Sequence, residues 1–222
     1  MGHAGMAAAA VRYLRTDPAD PADSGRRTTR PEPGVEALPR PELRCVGENE
    51  RAPVDQAEFR RVLGAFATGV TVITAPATGP SAGAGAPAAT EPPAGFACQS
   101  FSSLSLDPPL VAFMVGRTST TWPRIARAGV FCVNVLGAEQ GELCRRFAVS
   151  GADKFAGVAH TPAPVTGSPR LAGAAAWIDC VIHAVHTGGD HLIVVGRVEA
   201  LDTDDGTPPL LFHRGRFGQL RT

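Results

Sequence analysis

The chain has 222 residues, with 21 Lys and Arg against 21 Asp and Glu, so its formal net charge is zero. That length holds one domain with a sizeable core plus an extension, and a balanced charge supplies no global field to draw in nucleic acid or an anionic membrane. Five scattered cysteines, Cys45, Cys98, Cys132, Cys144 and Cys180, form no C-x-x-C pair, and no stretch reaches the about 20 apolar residues of a spanning helix; a disulfide framework, a metal site and a transmembrane segment are not expected.

Residues 1–52 are rich in proline and charge, show no apolar period, and read as a largely disordered extension. The alanine-rich start precedes Arg12 and Arg15, the reverse of the order in a secretion signal, which places the protein in the cytoplasm. A domain spanning 53–222 begins with Asp55 as N-cap and Glu58 three residues on. Phe59, Val62, Leu63 and Phe66 then recur at helical spacing, which predicts a helix to about Phe66. Gly69 opens a strand over 70–74, rich in β-branched residues. Residues 75–94, nearly all Ala, Pro, Gly, Thr and Ser, read as a long flexible hairpin connection.

The next stretch is the most informative. From Gln99 to Ser105 the hydroxyls of Ser100, Ser102, Ser103 and Ser105 alternate with Phe101 and Leu104, more polarity than a core strand needs. Pro108 and Pro109 end that strand, and residues 110–115 form an apolar run fit for a strand buried on both faces. Gly116, Arg117, Thr118, Ser119, Thr120 and Thr121 then gather one guanidinium, four hydroxyls and backbone N–H groups at one turn, which is phosphate-binding chemistry. A helix from Thr121 to Ala128 carries Trp122 and Pro123 in its first turn, and a strand over 131–136 follows. Residues 139–147 read as a helix with Leu143 and Phe147 inward, and 148–171 as loop. Two long strands, 175–185 and 191–200, flank a turn at 187–190. Alternation sets Trp177, Val181 and Val185 on the face opposite Ile178 and Ile182. Residues 210–213 form a last short strand. The whole is mainly β with a few helices, a closed or half-closed barrel, and it has no glycine-rich dinucleotide fingerprint.

The run Gly95-Phe-Ala-Cys-Gln-Ser-Phe-Ser-Ser-Leu-Ser-Leu-Asp-Pro-Pro-Leu110 resembles the NAD(P)H:flavin reductase components of two-component, flavin-dependent monooxygenases, above all those of actinobacterial steroid hydroxylases and natural-product pathways. Phe66-Ala-Thr-Gly-Val70, Phe131-Cys-Val-Asn-Val135, Asp153-Lys-Phe155, Gly189-Asp-His191 and Phe212-His-Arg-Gly215 follow in the family's order. The resemblance implies an FMN-binding split β-barrel of Greek-key type, a homodimer, and reduction of FAD or FMN by NADH or NADPH for delivery to a separate oxygenase. FAD and NADH are favoured by the related branches. It implies that Ala97, Cys98, Gln99, Ser100 and Ser103 hold the flavin ring, and Arg117, Thr118, Ser119, Thr120, Thr121 and Trp122 its phosphate. It further implies that Lys154 and Phe155 contact cofactor or partner subunit, that His191 stands by the nicotinamide as the catalytic histidine, and that His213 and Arg214 hold the nicotinamide nucleotide. Where many relatives have Thr-Ala-Asn-Ser, this chain has Ala97-Cys98-Gln99-Ser100, which removes one hydroxyl; the 75–94 connection is also longer than is usual. Taken singly, the bland readings are a water-facing serine strand, a surface His191, a charged loop at 153–155 and a solvated tail at 213–214. A flavin-retaining oxidase on the same barrel and a non-catalytic flavin- or haem-binding protein remain the alternatives.

Overall fold

A computed structural model describes residues 54–77, 91–151 and 153–220. The extension at 1–52 and most of the 75–94 connection lie outside the described residues. Helix α1 (Gln56–Leu63) starts where Asp55 accepts from the N–H groups of Ala57 and Glu58, both at 3.0 Å. It stops before Gly64, and 65–66 continue only as a tight turn, so the helix is shorter than its apolar spacing suggests. Its apolar side points outward. Phe59, Val62, Leu63 and Phe66 are each more than half exposed, because among the described residues no element lies over that side of α1.

Strands β1 (Thr68–Gly69), β2 (Thr71–Ala75), β3 (Ala94–Cys98), β4 (Phe101–Leu106) and β5 (Pro109–Gly116) precede α2 (Trp122–Ala128). Then come β6 (Val130–Val135), α3 (Gly141–Ala148), a small hairpin of β7 (His160–Pro162) and β8 (Pro169–Leu171), and the long pair β9 (Ala176–Gly188) and β10 (His191–Thr203). β11 (Leu211–His213) and β12 (Arg216–Gly218) end the chain. Seven strands make one sheet in the order β3-β2-β6-β9-β10-β5-β4. Its two edge strands, β3 and β4, are consecutive in the chain and separated only by Gln99 and Ser100. The sheet therefore curls round until its edges meet without a ladder between them, a split barrel. β2 and β3 pair antiparallel, as the hairpin reading of 75–94 requires.

Inside the barrel, Phe113 stacks edge-to-face on Phe131 (5.2 Å), Trp122 (6.3 Å) and Phe96 (6.0 Å). Gly196 makes that packing possible: a Cβ there would stand 2.3 Å from Phe131 Cζ. β2 is buried on both faces; Ile73 joins this core, while Val72 joins a second one under α3 with Leu136, Phe147 and Phe155. The alternation expected for β9 breaks at His183. Ile182 pairs with Gly196 and Ala184 with Val195, so His183 is an extra residue that flips the parity, and Val185 packs on the same core as Ile178 and Ile182. The supposed loop of 148–171 contains β7 and β8. The buried Asp179 carboxylate orders their turn by accepting from Val165 N and Thr166 N, both at 3.0 Å. Asn134 joins β8 to the barrel, accepting from Leu171 N (2.7 Å) and donating to Val72 O (3.2 Å). β11 pairs with β1 on one side and with β12 on the other, giving a second strand where the sequence suggested one.

Candidate functional site: a groove along β3

The seam between β3 and β4 is held by a side chain. Ser100 Oγ donates to Met114 O (2.9 Å) and accepts from Met114 N (3.1 Å), replacing the ladder bonds that the corner lacks. Over this seam opens a cavity of about 340 Å³, lined by residues 96–100, 114–116, Ser119 and His191. Met114, expected inside a doubly buried strand, is 40% exposed and forms part of its wall. Cys98 is buried, and that burial pushes its thiol up, so it acts as a small wall residue rather than a nucleophile.

His191 reaches the cavity because the β9–β10 turn is tied to the 116–121 turn. Gly189 adopts a positive φ of 66°, which lets the chain reverse in two residues, and Arg117 N donates to Asp190 O at 3.0 Å. His191 Nδ1 lies 2.7 Å from Asp190 Oδ1, while Nε2 faces Gly116. The hydrogen bond from His191 holds the Asp190 carboxyl below the usual range.

A smaller cavity, about 170 Å³, borders the other end of β3 and is lined by Pro92, Pro93, Gly95, Thr120, Thr121, Arg124, Gly151, Asp153 and Lys154. Gly95 adjoins Phe96, and Thr120 adjoins Ser119, so the two cavities are neighbours along β3 and the 116–124 segment. Lys154 Nζ donates to Gly95 O and Phe147 O, both at 3.1 Å, and Arg124 stands near enough to bear on its charge. Burial, and then the Arg124 guanidinium, pull the Lys154 ammonium down from its ordinary value. Arg124 donates to Pro92 O and lies 3.4 Å from Glu91. Two cations and two threonine hydroxyls thus converge on a recess one phosphate would fill.

Several sequence expectations are redistributed. Ala97, Cys98, Gln99, Ser100, Ser119 and His191 line one cavity; Thr120, Thr121 and Lys154 line the other. Trp122 (1% exposed) and Phe155 (8%) are core residues, and Phe155 stacks on Phe147 at 5.1 Å to anchor the loop that bears Lys154. Arg117 and Thr118 are exposed and line neither cavity, and Ser103 faces outward on β4. His213 and Arg214 are exposed on the β11–β12 hairpin, away from both. Arg124 was missed. Its signal was present, since a helix starting at Thr121 brings its first turn, Arg124 included, beside the threonines.

Residues 63–221 match the family model described as a flavin reductase like domain. The chain belongs to this family. It is 48% identical over 164 residues (74% of this chain, 77% of the relative) to the flavin-dependent monooxygenase reductase subunit HsaB of Rhodococcus jostii. It is 36% identical over 169 residues (74% and 86%) to an NADH-dependent FAD reductase of Streptomyces globisporus. Among solved structures, the Streptomyces globisporus C-1027 NADH:FAD oxidoreductase SgcE6 in complex with NAD and FAD fragments superposes with a TM-score of 0.66 at 35% identity, covering 81% of this chain and 98% of that one. The groove fits the family's ligand: the seam cavity offers backbone and hydroxyl edges to a planar heteroaromatic ring, and the recess beside it offers cations to a phosphate.

Proposed function

We propose that this enzyme reduces free FAD or FMN with NADH, or less favourably NADPH, and passes the reduced flavin to a separate monooxygenase in natural-product biosynthesis or aromatic or steroid hydroxylation. The observation that carries this reading is the pair of neighbouring cavities along β3, with Arg124 and Lys154 on one and His191 on the other. The bound nucleotides supply the redox chemistry, a two-electron hydride passed from nicotinamide to isoalloxazine; the chain supplies placement and charge. The backbone and side chains of residues 97–100 hold the pyrimidine edge of the ring, and Thr120, Thr121, Arg124 and Lys154 hold the phosphate. His191, steadied by Asp190 through Nδ1, turns Nε2 to the cavity and orients the nicotinamide over the ring. His213 and Arg214 engage the nicotinamide nucleotide. An open groove at a seam suits a flavin that enters, is reduced and leaves.

The enzyme acts as a homodimer in the cytoplasm, its catalytic domain spanning 53–222. The uncovered apolar side of α1 supports the dimer, since nothing among the described residues buries Phe59, Val62 and Leu63. Among the described residues no helix is long and apolar enough to cross a membrane. The experiment is nicotinamide oxidation by purified protein with no flavin, catalytic flavin, and excess FAD, FMN or riboflavin. Turnover that requires and saturates with free flavin is expected. Activity that survives dialysis and ignores added flavin would instead mark an enzyme that keeps its flavin, and absence of turnover would remove the enzyme reading.

A further inference from the structure

Glu91 stands beside the Arg124–Lys154 recess without lining it, while the next two residues, Pro92 and Pro93, do line it. Proline fixes its own φ and restricts the residue before it, so little backbone freedom separates Glu91 from the recess wall. One carboxylate oxygen, Oε2, lies 3.4 Å from Arg124 Nε and 3.5 Å from Arg127 Nη1. The two arginines are three residues apart on α2, which puts them on one face of the helix. Both contacts are longer than the about 2.8 Å of a charge-assisted hydrogen bond, so the carboxylate is shared rather than clamped. The other Arg–carboxylate pairs among the described residues, Arg61–Glu58, Arg145–Glu142 and Arg197–Glu199, each join near neighbours on one element and border neither cavity along β3.

The charges of this corner offset one another. Lys154 Nζ is engaged by Gly95 O and Phe147 O, and Asp153, which also lines the recess, accepts from Phe155 N at 3.1 Å. Two cations, Arg124 and Lys154, are thus matched by two carboxylates, Asp153 and Glu91. Of these four groups Glu91 is the one outside the wall, half-exposed and with a further cation, Arg127, within reach. An anion that takes Arg124 must part it from Glu91, and Arg127 offers that carboxylate another partner. We propose, resting on the flavin reductase reading, that Glu91 competes with the flavin phosphate for Arg124: it holds Arg124 before the flavin binds, shifts to Arg127 when the phosphate arrives, and returns as the reduced flavin leaves. Glu91 thereby weakens the site for phosphate-bearing flavins alone and favours their release.

The test is equilibrium titration of FMN and of riboflavin onto the full-length protein, followed by flavin fluorescence, for wild type, Glu91→Gln, Arg127→Ala and the double variant, with thermal melts to check each fold. Glu91→Gln keeps the size of the side chain and removes its charge. It should lower Kd for FMN about two- to fivefold, the range of an exposed ion pair, and leave Kd for riboflavin, which has no phosphate, unchanged. Arg127→Ala should raise Kd for FMN about twofold where Glu91 is present, and not in the Glu91→Gln background. A Kd for FMN that is unchanged or raised in Glu91→Gln, or a fall shared equally by riboflavin, would overturn the competition; an equal effect of Arg127→Ala in both backgrounds would overturn the exchange. If wild type shows no turnover with any flavin, the reductase reading falls, and the FMN titration still decides the role of Glu91. If wild type binds no FMN, melts with and without inorganic phosphate decide it: Glu91→Gln should gain more from phosphate than wild type, and equal shifts overturn the proposal.

Discussion

At the Cys98 end of the groove nearly every wall comes from residues 96–119, and the cavity is open, with only His191 brought from elsewhere. At the Gly95 end the cations arrive from two separate segments, Arg124 on α2 and Lys154 on a loop anchored by Phe155, and Lys154 is partly buried with two carbonyls bound. One end is a contiguous stretch shaped by a barrel corner; the other is an assembly that exists only once α2, α3 and β3 are packed together. Gly95 joins them, since a Cβ there would meet Phe147 Cε1 at 2.8 Å. The difference matches the two tasks that the proposed function sets: the assembled end would anchor charge, and the corner would position a ring that must later leave.

Removing the charge at the assembled end should have the largest effect. Arg124→Ala is expected to raise KM for FMN and FAD by roughly 10- to 100-fold, the loss of one charged hydrogen bond, while KM for riboflavin, which has no phosphate, stays within about twofold. An equal rise for riboflavin would mean that Arg124 shapes the groove rather than holding phosphate. At the open end, His191→Ala should lower kcat about tenfold with little change in flavin KM, since placement rather than binding is lost; collapse of flavin affinity in a fluorescence titration would reverse the roles of the two ends.

Smaller and more diagnostic is the pH dependence. Because burial and Arg124 lower the Lys154 pKa, this ammonium is lost before an ordinary lysine titrates at 10.5. KM for FMN should therefore climb as pH rises toward that value, and KM for riboflavin should not. Stability runs the other way: with the folded pKa below the unfolded one, the Lys154 contribution is least favourable below the folded pKa and improves as pH rises through it. A thermal melt that holds steady while KM climbs would show that weaker binding is not unfolding. The smallest effect belongs to the seam. Ser100→Ala should cost about 1 kcal/mol of stability by leaving Met114 N and O without that partner, with a modest rise in flavin KM; a wild-type melt would show that Ser100 does not hold the corner.

What could be read from the sequence follows the same division. The seam cavity was legible because its residues are consecutive, and the barrel because β2, β5, β6, β9 and β10 carry β-branched and apolar runs that leave few alternatives. Trp122 and Phe155 were misassigned since the motifs containing them do lie at the groove, but a motif does not say which of its side chains points in. The helix start at Thr121 already sets Arg124 beside the threonines, but that it shares their recess with a second cation shows only once Lys154 is placed. The bulge at His183 leaves no mark in composition, so the parity of β9 could not be followed past it. α1 shows an amphipathic period whose apolar side no described residue covers, and periodicity alone does not distinguish a core from an interface.

The hydroxyl of Ser100 has one more consequence. Elsewhere in the barrel, amide protons sit in ladders many bonds long, and freeing one from solvent protection means separating strands. At Met114 the N–H is held by one side chain, at the rim of the ring cavity. Rotation of that one serine opens the amide to exchange with solvent and leaves the β5–β10 pairing intact. The barrel thus has a place where it can breathe without melting, at the rim of the cavity proposed to take the flavin ring.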